Sequence, residues 1–202
     1  MKHCVVFSII LLVVVLNLAA QEKTDFQDRT IIHLQADVSE KIFLTGWVIG
    51  NAQYYGTNNI NIFGGIGYRN KNWWFESMIQ KQWKEKDGNS PRKALLFDNR
   101  FQYQPTKRTS LYIEIAPFLD RKALYDMVVI EQKIIGGLGV GFETENVHKT
   151  GKDSLGAGPR VSLPFGSLGG CKIVTALSYQ FRQGQERNVL RFYLVFNRRL
   201  EN

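Results

Sequence analysis

Apolar and polar positions alternate with a period of two along most of this chain. The pattern is clearest at 188–197, where Leu190, Phe192, Leu194 and Phe196 fall on one face and Arg191, Tyr193 and Asn197 on the other. Segment 94–104 sets Leu95, Phe97, Phe101 and Tyr103 against Asp98, Arg100, Gln102 and Gln104, and 172–182 sets Ile173, Leu177, Tyr179 and Phe181 against Lys172, Ser178, Gln180 and Arg182. Such segments predict about ten strands, within a range of eight to twelve. They fall near 29–38, 42–54, 59–69, 73–84, 94–104, 110–119, 127–143, 155–165, 172–182 and 188–197. Between them lie turn-forming clusters such as Asn70-Lys71-Asn72, Pro105-Thr106-Lys107 and Gln183-Gly184-Gln185. Most neighbours are thus hairpin partners, and the expected fold is all-β, an antiparallel up-and-down β-barrel.

Two features point the apolar faces outward, toward lipid. Aromatic residues gather near segment ends (Tyr54, Tyr68, Trp73, Trp83, Tyr103, Phe165), as interfacial girdles require. Many segments also reach about ten residues, the length of a tilted membrane strand, whereas soluble strands more often have about five or six. On this reading Leu95, Phe97, Phe101, Ile173, Leu177, Phe181, Leu190, Phe192, Leu194 and Phe196 face lipid. The alternative is a soluble, exported, calycin-like barrel with its apolar faces turned inward around a small hydrophobic ligand. Segments 42–54 and 73–84 break the scheme, the first with apolar residues on both faces and the second with Lys81 on its apolar face. A bulge is the expected cause of each.

The first 20 residues carry a charged start, an apolar run from Cys4 to Leu16 and the small-residue exit Ala19-Ala20, which is the pattern of a cleaved export signal. The organisation read from the sequence is thus a signal peptide at 1–20, a polar leader at 21–28 and one barrel domain at 29–202. Removal of the signal takes one charge, Lys2, and lowers the net charge from +8 to +7. Cys171 then stands alone, so stability rests on strand pairing and packing. A basic exported surface suits anionic lipid headgroups or acidic polysaccharide. No basic helix or aromatic-basic motif marks it for nucleic acid.

With the apolar faces outward, the inward faces collect Arg69, Glu76, Asp98, Arg100, Glu114, Glu131, Lys133, Arg160, Arg182 and Arg191, together with His33. Opposite charges on neighbouring strands would pair, because an unpaired ion in a narrow interior is costly. The set is expected to form an internal ion network, or the lining of a narrow, weakly cationic pore. A hydrolase would need His148, with Asp153 and Ser154 nearby, but the His-x-Ser pattern of barrel lipid hydrolases is missing: Lys149-Thr150 follows His148 and Leu34-Gln35 follows His33. The chain is therefore not expected to be an enzyme. The glycine runs at 64–67 and 136–141 lack the lysine and hydroxyl residue of a phosphate loop and fit strands that curve. No ligand spacing for a metal stands out, and no cofactor is expected.

The signal, the alternating strands and the final Leu190-Arg191-Phe192-Tyr193-Leu194-Val195-Phe196 together resemble small bacterial outer-membrane barrels. More narrowly, 96–103, 112–115 and 136–142 look like the central block of outer-membrane barrel families classed as domains of unknown function. The resemblance implies an outer-membrane location, contact with membrane lipid, and a C-terminal strand read by the barrel-assembly machinery. Phe196 would supply the terminal aromatic, although Asn197 to Asn202 follow it.

Overall fold

The computed structural model describes residues 23–54, 58–84, 92–151 and 153–200. The expected signal at 1–20, the first two leader residues and the turns at 55–57 and 85–91 lie outside the described residues. Eleven strands form one closed barrel: β1 (Thr24–Asp37), β2 (Ile42–Gln53), β3 (Asn59–Arg69), β4 (Trp73–Lys84), β5 (Arg92–Tyr103), β6 (Thr109–Pro117), β7 (Ala123–Lys133), β8 (Gly139–Lys149), β9 (Leu155–Leu168), β10 (Cys171–Gln183) and β11 (Asn188–Leu200). Every chain neighbour pairs antiparallel, so the all-β, up-and-down barrel is the architecture. Closure leaves no free edge whose amides would need another partner.

The barrel closes through one parallel seam, β1 on β11, running from Thr24 opposite Asn188 to Ala36 opposite Leu200. Two corrections to the sequence reading produce it. The polar leader is not a leader from Thr24 onward, because Thr24 to Asp28 are the first rungs of β1. The segment 127–143 is not one strand but the end of β7, a tight turn and the start of β8. That turn holds Gly136 and Gly137 at φ of 70° and 80°, in the left-handed region, so these glycines reverse the chain and do not curve a strand. An odd strand count follows, and β1 begins at the rim opposite the one where β11 ends. These are termed the N-terminal and C-terminal rims.

Neither expected bulge is present. β2 pairs with β1 and β3, and β4 with β3 and β5, in unbroken register. The shift lies between Ile173 and Val174, where β10 meets β9. In β2 the inner face carries Phe43, Trp47 and Ile49 while Leu44 and Val48 are exposed outside, so both faces are apolar in a regular strand. Lys81 lies outside, with its ammonium over the Trp83 ring at 5.3 Å.

Burial runs opposite to that of an oil-filled core. Among the described residues the buried set holds 17 polar or charged side chains against 13 hydrophobic ones, while each of the eleven strands carries at least one exposed large apolar side chain. Leu95, Phe97 and Phe181 are exposed on the outer face. Leu190, Phe192 and Phe196 share that face with their β10 partners Tyr179, Leu177 and Ile173, and Leu194 with Thr175. Eight strands enclose a space that side chains just fill, so eleven enclose more, and bulky inward residues have to occupy it.

Candidate functional site

The inward residues form two clusters, one on each side of the lumen. On β1 to β6, the wholly buried Glu76 is the hub of the first. Its Oε1 accepts from Gln35 Nε2 at 2.9 Å and Thr45 Oγ1 at 3.0 Å and lies 3.1 Å from His33 Nε2, and its Oε2 accepts from Trp47 Nε1 at 2.9 Å. Alternation places each donor on an inward rung, and the Trp47 ring stacks on His33 at 3.8 Å. Beside it, Arg100 Nε donates to Asp98 at 2.8 Å, its Nη2 reaches Glu114 at 3.3 Å, and its guanidinium lies 4.1 Å over Trp47 and 4.5 Å over Phe63. Tyr112 donates to the other oxygen of Glu114 at 2.8 Å. A buried guanidinium is tolerable here because two carboxylates and two ring faces replace its water.

The second cluster joins β1 to β8, β9, β10 and β11 around Glu143 and Glu145. Glu143 accepts from Arg160 Nη1 at 2.6 Å, Gln180 Nε2 at 2.5 Å, Tyr193 at 2.6 Å, Arg191 Nη1 at 3.0 Å and Ser178 at 3.2 Å. Glu145 accepts from Arg29 Nη2 at 2.8 Å, Tyr125 at 2.9 Å, Arg182 Nη2 at 2.6 Å and Arg191 Nη2. Four guanidiniums thus share two carboxylates, with Glu131 3.8 Å from Arg160. Gly156, the cross-strand partner of Arg182 on β9, makes the space for it: a Cβ there would stand 2.7 Å from the guanidinium.

Between the clusters, β2 to β4 contribute a row of amides. Asn59 Oδ1 accepts from Asn51 at 2.7 Å and Asn61 at 2.8 Å, and Asn61 Oδ1 accepts from Gln80 at 3.0 Å and Gln82 at 2.8 Å. A cavity of about 870 Å³ runs along these walls. Its charge differs from that of the interior as a whole. Glu76, Asp98 and Glu143 are fully buried behind their partners. The carboxylates lining the open space are Glu114, Glu131 and Glu145, against Arg29, Arg100, Arg160, Arg182 and Arg191, with Lys84, Arg121 and Lys149 toward the N-terminal rim. A solute inside would meet mainly cations.

Eight of the ten residues expected in the lumen set therefore sit in these clusters. Arg69 and Lys133 do not. Arg69 lies at the C-terminal rim, paired with Asp37 at 2.8 Å and stacked on Phe43 at 4.1 Å, and Lys133 is exposed at the same rim. The sequence reading missed Arg29, Glu143 and Glu145, the last two because 127–143 was read as one strand ending there. The run Gly141, Glu143, Glu145, Val147, alternating with Val140, Phe142 and Thr144, carried the signal.

His148 is not in a connection but on the outer face of β8. Its Nε2 lies 2.7 Å from Asp126 and its Nδ1 3.6 Å from Asp153, so both ring nitrogens face carboxylates and neither is turned to a serine. Ser154 Oγ instead accepts from Gln185 at 2.5 Å. A charge-relay arrangement is not assembled in this geometry. Among the described residues no group of three or more His, Cys, Asp and Glu is placed to hold a metal ion. No protein-family model, curated protein or solved structure matches the chain.

Proposed function

We propose that this protein is a bacterial outer-membrane β-barrel, exported by its N-terminal signal, whose braced lumen forms at most a narrow passage for small anions. The observation that carries the reading is the inside-out distribution of polarity. Phe97 and Phe181 are exposed outside the barrel while Arg100, Asp98 and Glu143 are buried within it, an arrangement that costs free energy in water and is favourable in lipid. Aromatic residues at both rims, Phe26 and Tyr54 at one and Tyr68, Tyr103 and Phe165 at the other, are placed as interfacial anchors. The outward direction of these phenylalanines weighs against a soluble calycin-like barrel, which needs them around its ligand. The cationic lining of the cavity supports anion preference should it conduct.

The test has two stages. Partition with outer membranes and heat-modifiable migration on a detergent gel are expected, and a soluble monomer without detergent would overturn the membrane reading. In planar bilayers, small anion-selective steps that weaken in Arg100→Ala and Arg182→Ala would assign a pore. Silence of the pure barrel would assign the lumen a bracing role alone.

A further inference from the structure

The net charge of the barrel is not spread over it. At the C-terminal rim the described residues include nine cations (Lys41, Arg69, Lys71, Lys107, Arg108, Lys133, Lys172, Arg198, Arg199) and two acids, Asp37 and Glu40. At the N-terminal rim eight cations (Lys23, Lys84, Arg92, Lys93, Arg121, Lys122, Lys149, Arg187) meet six acids (Asp25, Asp28, Asp120, Asp126, Asp153, Glu186). One rim carries a surplus of seven positive charges among described residues and the other a surplus of two. All of the C-terminal rim cations except Arg69 are exposed.

Their distribution around the ring identifies what they fit. Each connection at that rim contributes: Lys41 before β2, Lys71 before β4, Lys107 and Arg108 before β6, Lys133 at the end of β7, Lys172 in β10, and Arg198 and Arg199 at the end of β11. A protein or nucleic-acid partner would select a patch on one side. A collar on the whole circumference fits something that surrounds the barrel. Directly below it, Tyr68, Trp73 and Phe101 form a chain of rings, with centroids 5.4 and 6.1 Å apart, at the outer surface. Indole and phenol rings settle at headgroup depth, and long cationic side chains just beyond them extend into the phosphate layer. We infer that the C-terminal rim is a docking collar for anionic lipid headgroups, engaging the phosphates of the leaflet around it. This inference rests on the membrane reading above.

The experiment uses the full chain, folded in detergent and offered vesicles of phosphatidylcholine alone or with a minority of phosphatidylglycerol. Partition into the anionic vesicles is expected to exceed that into the neutral ones by more than about tenfold at low salt, and to lose this advantage as salt rises. The quadruple variant K41Q/K71Q/K107Q/R108Q, all exposed turn positions, should lose the advantage and keep its heat-modifiable migration. The K122Q/K149Q variant at the other rim should retain it. Equal partition of the wild type into both vesicles, or equal loss in the two variants, would overturn the collar and leave the membrane reading intact. Failure to enter either vesicle would overturn both.

Discussion

Glu143 receives five donors on two oxygens, from Arg160, Ser178, Gln180, Arg191 and Tyr193. A carboxylate so placed is held by the network and also holds it, since Arg191 and Arg160 depend on it for neutralisation. Glu143→Ala leaves two buried guanidiniums short of a partner, and a loss of about 3–5 kcal/mol is expected from removing one side of a buried ion pair. The urea midpoint of the barrel in detergent would report it. Glu40→Ala, at an exposed turn, should shift that midpoint by less than about 0.5 kcal/mol. Residues of this kind were partly legible beforehand. Asp98, Arg100, Arg182 and Arg191 each lie on the more polar face of their strand, opposite a run of large apolar side chains, so period two alone turned them inward. Trp47 was not legible in this way, because a large apolar ring is assigned to an apolar environment until its indole N–H is seen donating to Glu76.

Strands with a sharp contrast between faces, β5, β10 and β11, were readable from sequence because their charged residues and their largest apolar side chains fall on opposite faces. The errors fall where that contrast fades. Thr24 and Asp28 place polar residues on the outer face of β1, so its first rungs look like a leader. Between β7 and β8, Ile134 and Ile135 extend the apolar character through the reversal and hide it. There the decisive residues are Gly136 and Gly137, and their conformation can be tested. A Cβ at position 136 meets nothing within 4 Å, so any cost of substitution comes from φ alone. Gly136→Val is expected to destabilise by about 1–2 kcal/mol and Gly136→Asn by clearly less, since asparagine visits the left-handed region more readily. Equal midpoints for the two variants in urea titrations would show that the turn does not depend on this backbone angle.

For the molecule as a whole, the parallel seam decides whether eleven strands close or ten close with one left over. It sets Thr30 opposite Leu194 and Phe26 opposite Leu190 on the outer face. In a Cys171→Ser background, the pair Thr30→Cys and Leu194→Cys should cross-link under mild oxidation, because neighbouring strands bring their Cα atoms within disulfide range. Thr24→Cys with Leu194→Cys, several rungs out of register, should not. Cross-linking of the second pair in preference to the first would mean a different closure.

On the membrane reading proposed above, that seam also bears on how the chain would cross a bilayer. Five antiparallel hairpins would each return the chain to the side from which it came, and assembly could proceed by repeating one operation. The remaining strand breaks this parity. Pairing β1 with β11 joins positions such as Gln27 and Arg191, 164 residues apart, so the contact that closes the barrel is also the most distant in sequence and the most expensive in chain entropy. Lys23 and Arg199 lie at opposite rims, so on the proposed membrane reading labels beside them would lie in different aqueous compartments. A membrane-impermeant quencher added from one side would then silence one of them, and a single molecule would report its own orientation.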